Sequence, residues 1–149
     1  MSLRVCDSVR GKDGTQFYKF KSRCKFNMRG QLHTVKVIEA KTYGVLQLGN
    51  IDYVNIIQRF SDALQLCVKA DRYASVLDYD SNIHLKFVKH YNKPQYKIWK
   101  ENGLPTVVEA LNLPMCVDVE CEVSGVHVKD NCACVSFLCK DMRPASHVE

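Results

Sequence analysis

The chain has 149 residues with 46% hydrophobic and 25% charged side chains, the make-up of an ordinary globular domain long enough to bury its own core. That composition excludes collagen, coiled coil and bulk disorder. Its net charge of +5 is uneven: residues 1–50 carry ten Lys/Arg against three Asp/Glu, residues 51–100 eight against five, and residues 101–149 three against eight. A basic end is expected of a protein with a polyanion-facing surface, or of a solvated basic surface balanced by an acidic one.

In chain order, Leu3, Val5 and Val9 alternate with polar residues, so 3–9 reads as a short strand ending in the turn Gly11-Lys12-Asp13-Gly14. From Phe17 to Phe26 the even positions Tyr18, Phe20, Cys24 and Phe26 are apolar, while Lys19, Lys21, Arg23 and Lys25 fill the odd ones. A side-chain period of two makes this a half-buried strand with four cations on its open face. Asn27-Met28-Arg29-Gly30 reads as a turn returning the chain through Leu32–Ile38 as an antiparallel partner, and 43–48 gives a fourth strand.

Asn50 offers a helix cap, and Tyr53, Ile56, Ile57, Phe60, Ala63, Leu64, Cys67 and Val68 recur at helical spacing, predicting an amphipathic helix over 51–69. Its stripe needs a sheet face to cover, and the one bearing Tyr18, Phe20 and Phe26 is the candidate. Strands follow at 73–79, 83–90 and 95–100, then a short helix at 104–111 with Pro105 in its first turn. Residues 115–123 and 132–139 read as a closing pair connected through Lys129-Asp130-Asn131, and a loose tail begins at Pro144. The expected fold is α+β: one domain over 1–143, an antiparallel twisted sheet packed on one long amphipathic helix, with a C-terminal β-hairpin.

Four strands and a long helix, with an aromatic-and-lysine strand turning through Asn-x-Arg-Gly, resemble one unit of the PUR and whirly-like single-strand-binding folds. The resemblance covers residues 3–69 and is carried by Phe17, Tyr18, Phe20, Lys21, Asn27, Arg29, Gly30, Phe60, Asp62, Ala63 and Leu64. It implies that the sheet face and its hairpin bind single strands through Lys19, Lys21, Arg23, Lys25 and Arg29. Residues 73–112 do not repeat the aromatic-lysine hairpin.

The spacing argument needs no resemblance. Alternate residues on one strand face are roughly 6.5–7 Å apart, close to the phosphate spacing of a nucleic-acid strand. Phe17 shares the open face by parity, and Trp99 shares a face with Lys97, so both are candidates to stack bases, with Lys86 as a further cation. Packing on a neighbouring loop is the alternative for Phe17, and a core position the favoured one for Trp99.

Eight cysteines could form a disulfide framework, but Cys6, Cys24, Cys67 and Cys121 sit at apolar positions of strand or helix patterns. With no apolar run able to cross a bilayer and a start without a secretory segment, the expectation is reduced thiols inside the cell, in cytoplasm or nucleus. Cys116, Cys121, Cys132, Cys134 and Cys139 cluster, but not in the usual CxxC spacing, and parity separates Cys139 from Cys132 and Cys134. Packed thiols are favoured over a metal site, with Cys121 and Cys139 facing each other inside the sheet. No phosphate loop, nucleophile elbow or HExxH helix is present, and the five histidines share no recognisable spacing. The expectation is a non-enzymatic protein without cofactor or metal that binds single-stranded DNA or RNA and no membrane. The rival is an interaction module, a homodimer or higher oligomer, in which the basic face of 17–26 docks on Asp118, Glu120 and Glu122 of another copy.

Overall fold

The computed structural model describes residues 3–11 and 13–146. The alternation that begins at Phe17 does not stop at Asn27. Phe26, Met28, Gly30 and Leu32 are buried in turn while Lys25 and Asn27 stay exposed, so the chain remains extended as one 23-residue strand, β1 (Gln16–Ile38). The expected turn at Asn27–Gly30 is absent. Gly30 answers a different need: a Cβ there would lie 2.4 Å from the Gln47 carbonyl oxygen of the neighbouring strand.

The long strand serves two neighbours over successive stretches. Its first part, through Leu32, pairs antiparallel with β4 (Met115–Lys129), and its last part, from Gln31, pairs with β2 (Lys41–Gln47). Next to β2 lies β3 (Asn82–Phe87), antiparallel, and β3 pairs in parallel with β5 (Phe137–Pro144). Antiparallel pairing of β5 with β4 closes the circuit β1–β2–β3–β5–β4.

Closure can be followed residue by residue. Lys36 pairs with Tyr43, Tyr43 with Lys86, Lys86 with Leu138, Leu138 with Glu122, and Glu122 with Lys25. The path returns to β1 displaced from position 36 to position 25, and the bulge between Leu32 and Thr34 accounts for one of these residues. Such a stagger tilts the strands and leaves an interior wide enough only for side chains. Leu32, Leu46, Ile83, Leu85, Val117, Cys121 and Met142 fill it, each at most 1% exposed.

Between β2 and β3 runs α1 (Ile51–Cys67), capped by Asn50, whose side chain accepts a hydrogen bond of 2.8 Å from the Asp52 amide. Its Phe60 packs against Phe20 and Phe26 of β1 and Phe137 of β5 at centroid distances of 6.2, 5.2 and 6.1 Å. The expected cover over Phe20 and Phe26 is thus present. The expected fold class is not. The protein is mainly β, a barrel inside a ten-stranded mixed sheet with one 17-residue helix, rather than an antiparallel sheet packed on one long helix.

Local differences follow the same logic. Of the strand expected at 3–9, Val5 bridges to Phe20 and the regular strand is Val9–Arg10, beside the start of β1; Lys12 of the expected turn lies outside the described residues. Strand 73–79 shrinks to Arg72–Tyr73, strand 83–90 splits into β3 and the stem Lys89–His90, and strand 95–100 shortens to Lys97–Trp99. The expected helix at 104–111 is a short strand, Pro105–Thr106, and one 3-10 turn, Val108–Ala110, with β-branched Val107 extended at φ −118° and ψ 157° between them. The hairpin tip at Asp130-Asn131 is as expected, with both residues left-handed, though it joins β4 to Cys132–Cys134 before β5 begins. In the expected tail, Pro144 ends β5 and the Ala145 amide donates to the Cys116 carbonyl at 2.8 Å; residues 147–149 lie outside the described part.

Candidate nucleic-acid interface

On β1 the side chains of Lys19, Lys21, Arg23 and Lys25 stand on the open face, all exposed. What stands beside them changes their meaning. β4 presents Asp118, Glu120 and Glu122 on that same face, in register with Arg29, Asn27 and Lys25. Arg29 holds Asp118 in a fork, Nε–Oδ1 2.7 Å and Nη2–Oδ2 3.2 Å. Glu122, only 8% exposed, collects Arg23 at 3.4 Å, Lys25 at 3.9 Å and Lys140 of β5 at 4.0 Å. The basic and acidic stripes are therefore neighbours in one chain, and Arg23, Lys25 and Arg29 are paired across the strands. Lys19 and Lys21 make no ion pair among the described residues.

The stacking candidates are both occupied. Phe17 is half-buried, its centroid 4.7 Å from the His127 ring, and its edge covers Gly125, where a Cβ would meet Phe17 Cζ at 2.6 Å. Trp99 is half-buried on the strand beside β5; its indole N–H donates to Asp141 at 3.1 Å and the Arg143 guanidinium lies 5.3 Å from its centroid. Lys97 is exposed, in register with Asp141.

Lys86 belongs to a different face. The outer surface of β2 and β3, with the last part of β1, carries Lys36, Lys41, Tyr43, His84 and Lys86, and no carboxylate stands on these strands there. Acids flank these strands at Glu39 in the tip and at Asp78 and Asp80 in the loop before β3, and Asp13 acts on the same His127 ring as Lys86 and Lys41. None of Lys36, Lys41 and Lys86 is ion-paired among the described residues. Burial, and after it the lysine charges, bear on the titrating groups there. Burial and the Lys41 charge push the Lys86 ammonium below its ordinary range. Burial, then Lys86 and Lys41, hold the His127 ring below the usual histidine value. Sequence reasoning reached Lys86 and passed over Lys36, Lys41 and Tyr43, although the alternation of Lys41, Tyr43 and Val45 along β2 was there to be read.

All eight cysteines are free, and Cys121 and Cys139 stand directly opposite inside the barrel, 0% and 1% exposed. Burial pushes the Cys121 thiol up to about 12 and raises Cys139 as well, so both are inert packing groups. Among the described residues no group of His, Cys, Asp or Glu side chains is arranged to hold a metal ion, and no helix is long and apolar enough to cross a membrane. Comparison with protein-family models, curated proteins and solved structures finds no match for this chain.

Proposed function

We propose that the protein binds single-stranded nucleic acid, DNA or RNA, with weak sequence preference and without catalysis, through the outer face of β2 and β3. The observation that carries this reading is a contrast in pairing: Lys36, Lys41 and Lys86 surround Tyr43 without a carboxylate on their strands, whereas Arg23, Lys25 and Arg29, earlier on β1, are paired with acids of β4. Unneutralised cations on adjacent strands attract a polyanion by counterion release, and a half-exposed ring among them supplies a face for a base. The second and third strands of a five-stranded barrel are also where oligonucleotide-binding barrels carry their ligands. That parallel is architectural and weighs less than the charges.

Docking of one copy on another through these stripes has less to recommend it. The charges that would drive it are already paired within one chain, most tightly at Arg29 and Asp118. Fluorescence anisotropy with short labelled poly-dT and poly-U, at several salt concentrations, tests the reading. Three phosphate contacts would give a slope of log K against log salt near −2, taking about 0.7 per phosphate for single strands. Absence of salt-dependent binding to any single strand would refute it.

A further inference from the structure

Three strand connections are two-residue turns with both central residues left-handed: Glu39-Ala40 and Asp130-Asn131 in the large sheet, and Tyr91-Asn92 in a separate two-stranded hairpin. This turn suits the twist of a hairpin but asks for Asn, Asp or Gly at both places. Asp130-Asn131 complies and Glu39-Ala40 does not. Tyr91, at φ 50°, does not either, since a bulky side chain in the left-handed region carries a conformational cost that Gly avoids. Nothing in the fold recovers that cost by burial, for Tyr91 is 88% exposed. Its ring meets that of His90 edge-on at a centroid distance of 4.4 Å.

The stem below this tip is firmly held. The Gln95 amide donates to the Val88 carbonyl at 2.8 Å, Phe87 packs edge-to-face on Tyr96 at 5.4 Å, and Lys89 reaches Glu109 at 2.6 Å. Its position is set by register. Phe87, the last residue of β3, pairs with Thr42, so the stem rises at the end of the β2–β3 face where Lys41 stands. A strained, exposed ring on a rigid stem, at the end of an unneutralised basic face, is placed to meet a ligand that crosses that face.

We infer that Tyr91 stacks on an unpaired base of the strand bound by β2 and β3, with His90 steadying the edge of its ring. This rests on the nucleic-acid reading above. Stacking recognises the base and not the phosphate, so Tyr91 contributes affinity without changing the salt slope.

The test compares wild type with Tyr91→Phe, Tyr91→Ala and Tyr91→Gly in anisotropy titrations with labelled poly-dT and in thermal melts. Tyr91→Phe should bind like wild type. Tyr91→Ala and Tyr91→Gly should bind about 5- to 150-fold more weakly, the range one base–aromatic stack supplies, at an unchanged salt slope. Tyr91→Gly should melt no lower than wild type, because Gly relieves the left-handed backbone. If wild type binds and the Ala and Gly variants bind equally well, the inference fails while the nucleic-acid reading stands. A Gly variant that loses affinity and melting temperature together would make Tyr91 structural and overturn the inference. If wild type binds no single strand, both fail.

Discussion

Two outer faces of one barrel, both built partly by the same long strand, present lysines in the same alternating pattern and differ in what lies beside them. Around Arg23, Lys25 and Arg29 the adjacent strand supplies Asp118, Glu120 and Glu122, and the cations end as cross-strand pairs. Around Lys36, Lys41 and Lys86 the adjacent strands supply Tyr43, Val45 and His84, and the charge stays open. Alternation along a strand establishes that a face is wet. Whether it can take up a polyanion is decided by the next strand, through hydrogen-bond register.

The comparison can be broken at Glu122, the acid on which the quiet face converges. Glu122→Gln keeps the volume and removes the anion from beneath Arg23, Lys25 and Lys140. Stability should fall by about 1–2 kcal/mol in urea unfolding, less than for a fully buried pair because Arg23 and Lys25 can turn to solvent. At the same time the freed cations should strengthen poly-dT binding and steepen its salt slope. A variant unchanged in both respects would show that the pairing does not silence this face.

A smaller effect sharpens the other side. Burial and the open charges of Lys86 and Lys41 hold the His127 ring below its ordinary value, so the unfolded chain takes up this proton at a pH where the native protein does not. The stability concerned is complete above the ordinary histidine value of about 6.5 and is lost as pH falls from there toward the lowered native value. Melting temperatures between about pH 7.5 and 5 should therefore decline less steeply in His127→Gln than in wild type. Equal slopes would mean that burial and the lysines together do not lower this ring.

Much of the local structure could be read from the residues. The period of two from Phe17, the helix with its Asn50 cap and the facing of Cys121 and Cys139 follow from spacing and parity. Closure of the barrel could not be read, because it depends on registers between segments as distant as Lys86 and Leu138, or Glu122 and Lys25. The turn expected at Asn27–Gly30 failed for a specific reason: a glycine beside polar residues suggests a bend, while here it admits the Gln47 carbonyl against a straight strand. The cations of β1 were placed correctly on an open face, yet their neutralisation was invisible until Asp118, Glu120 and Glu122, some ninety residues later, were laid beside them. Phe17 and Trp99 show the same limit, since parity gives a side but not the His127 or Arg143 already resting on the ring.

The central claim is that the β2–β3 face, not the β1–β4 face, meets the nucleic acid, and a pair of double variants tests it most directly. Salt-dependent poly-dT titrations of Lys36→Gln/Lys86→Gln should show a slope shallower than wild type by about 1.4, two phosphate contacts being lost. The same titrations of Lys21→Gln/Arg23→Gln should change the slope by no more than about 0.7, since Arg23 already serves Glu122. Equal losses from the two variants, or a larger loss from Lys21→Gln/Arg23→Gln, would contradict the account.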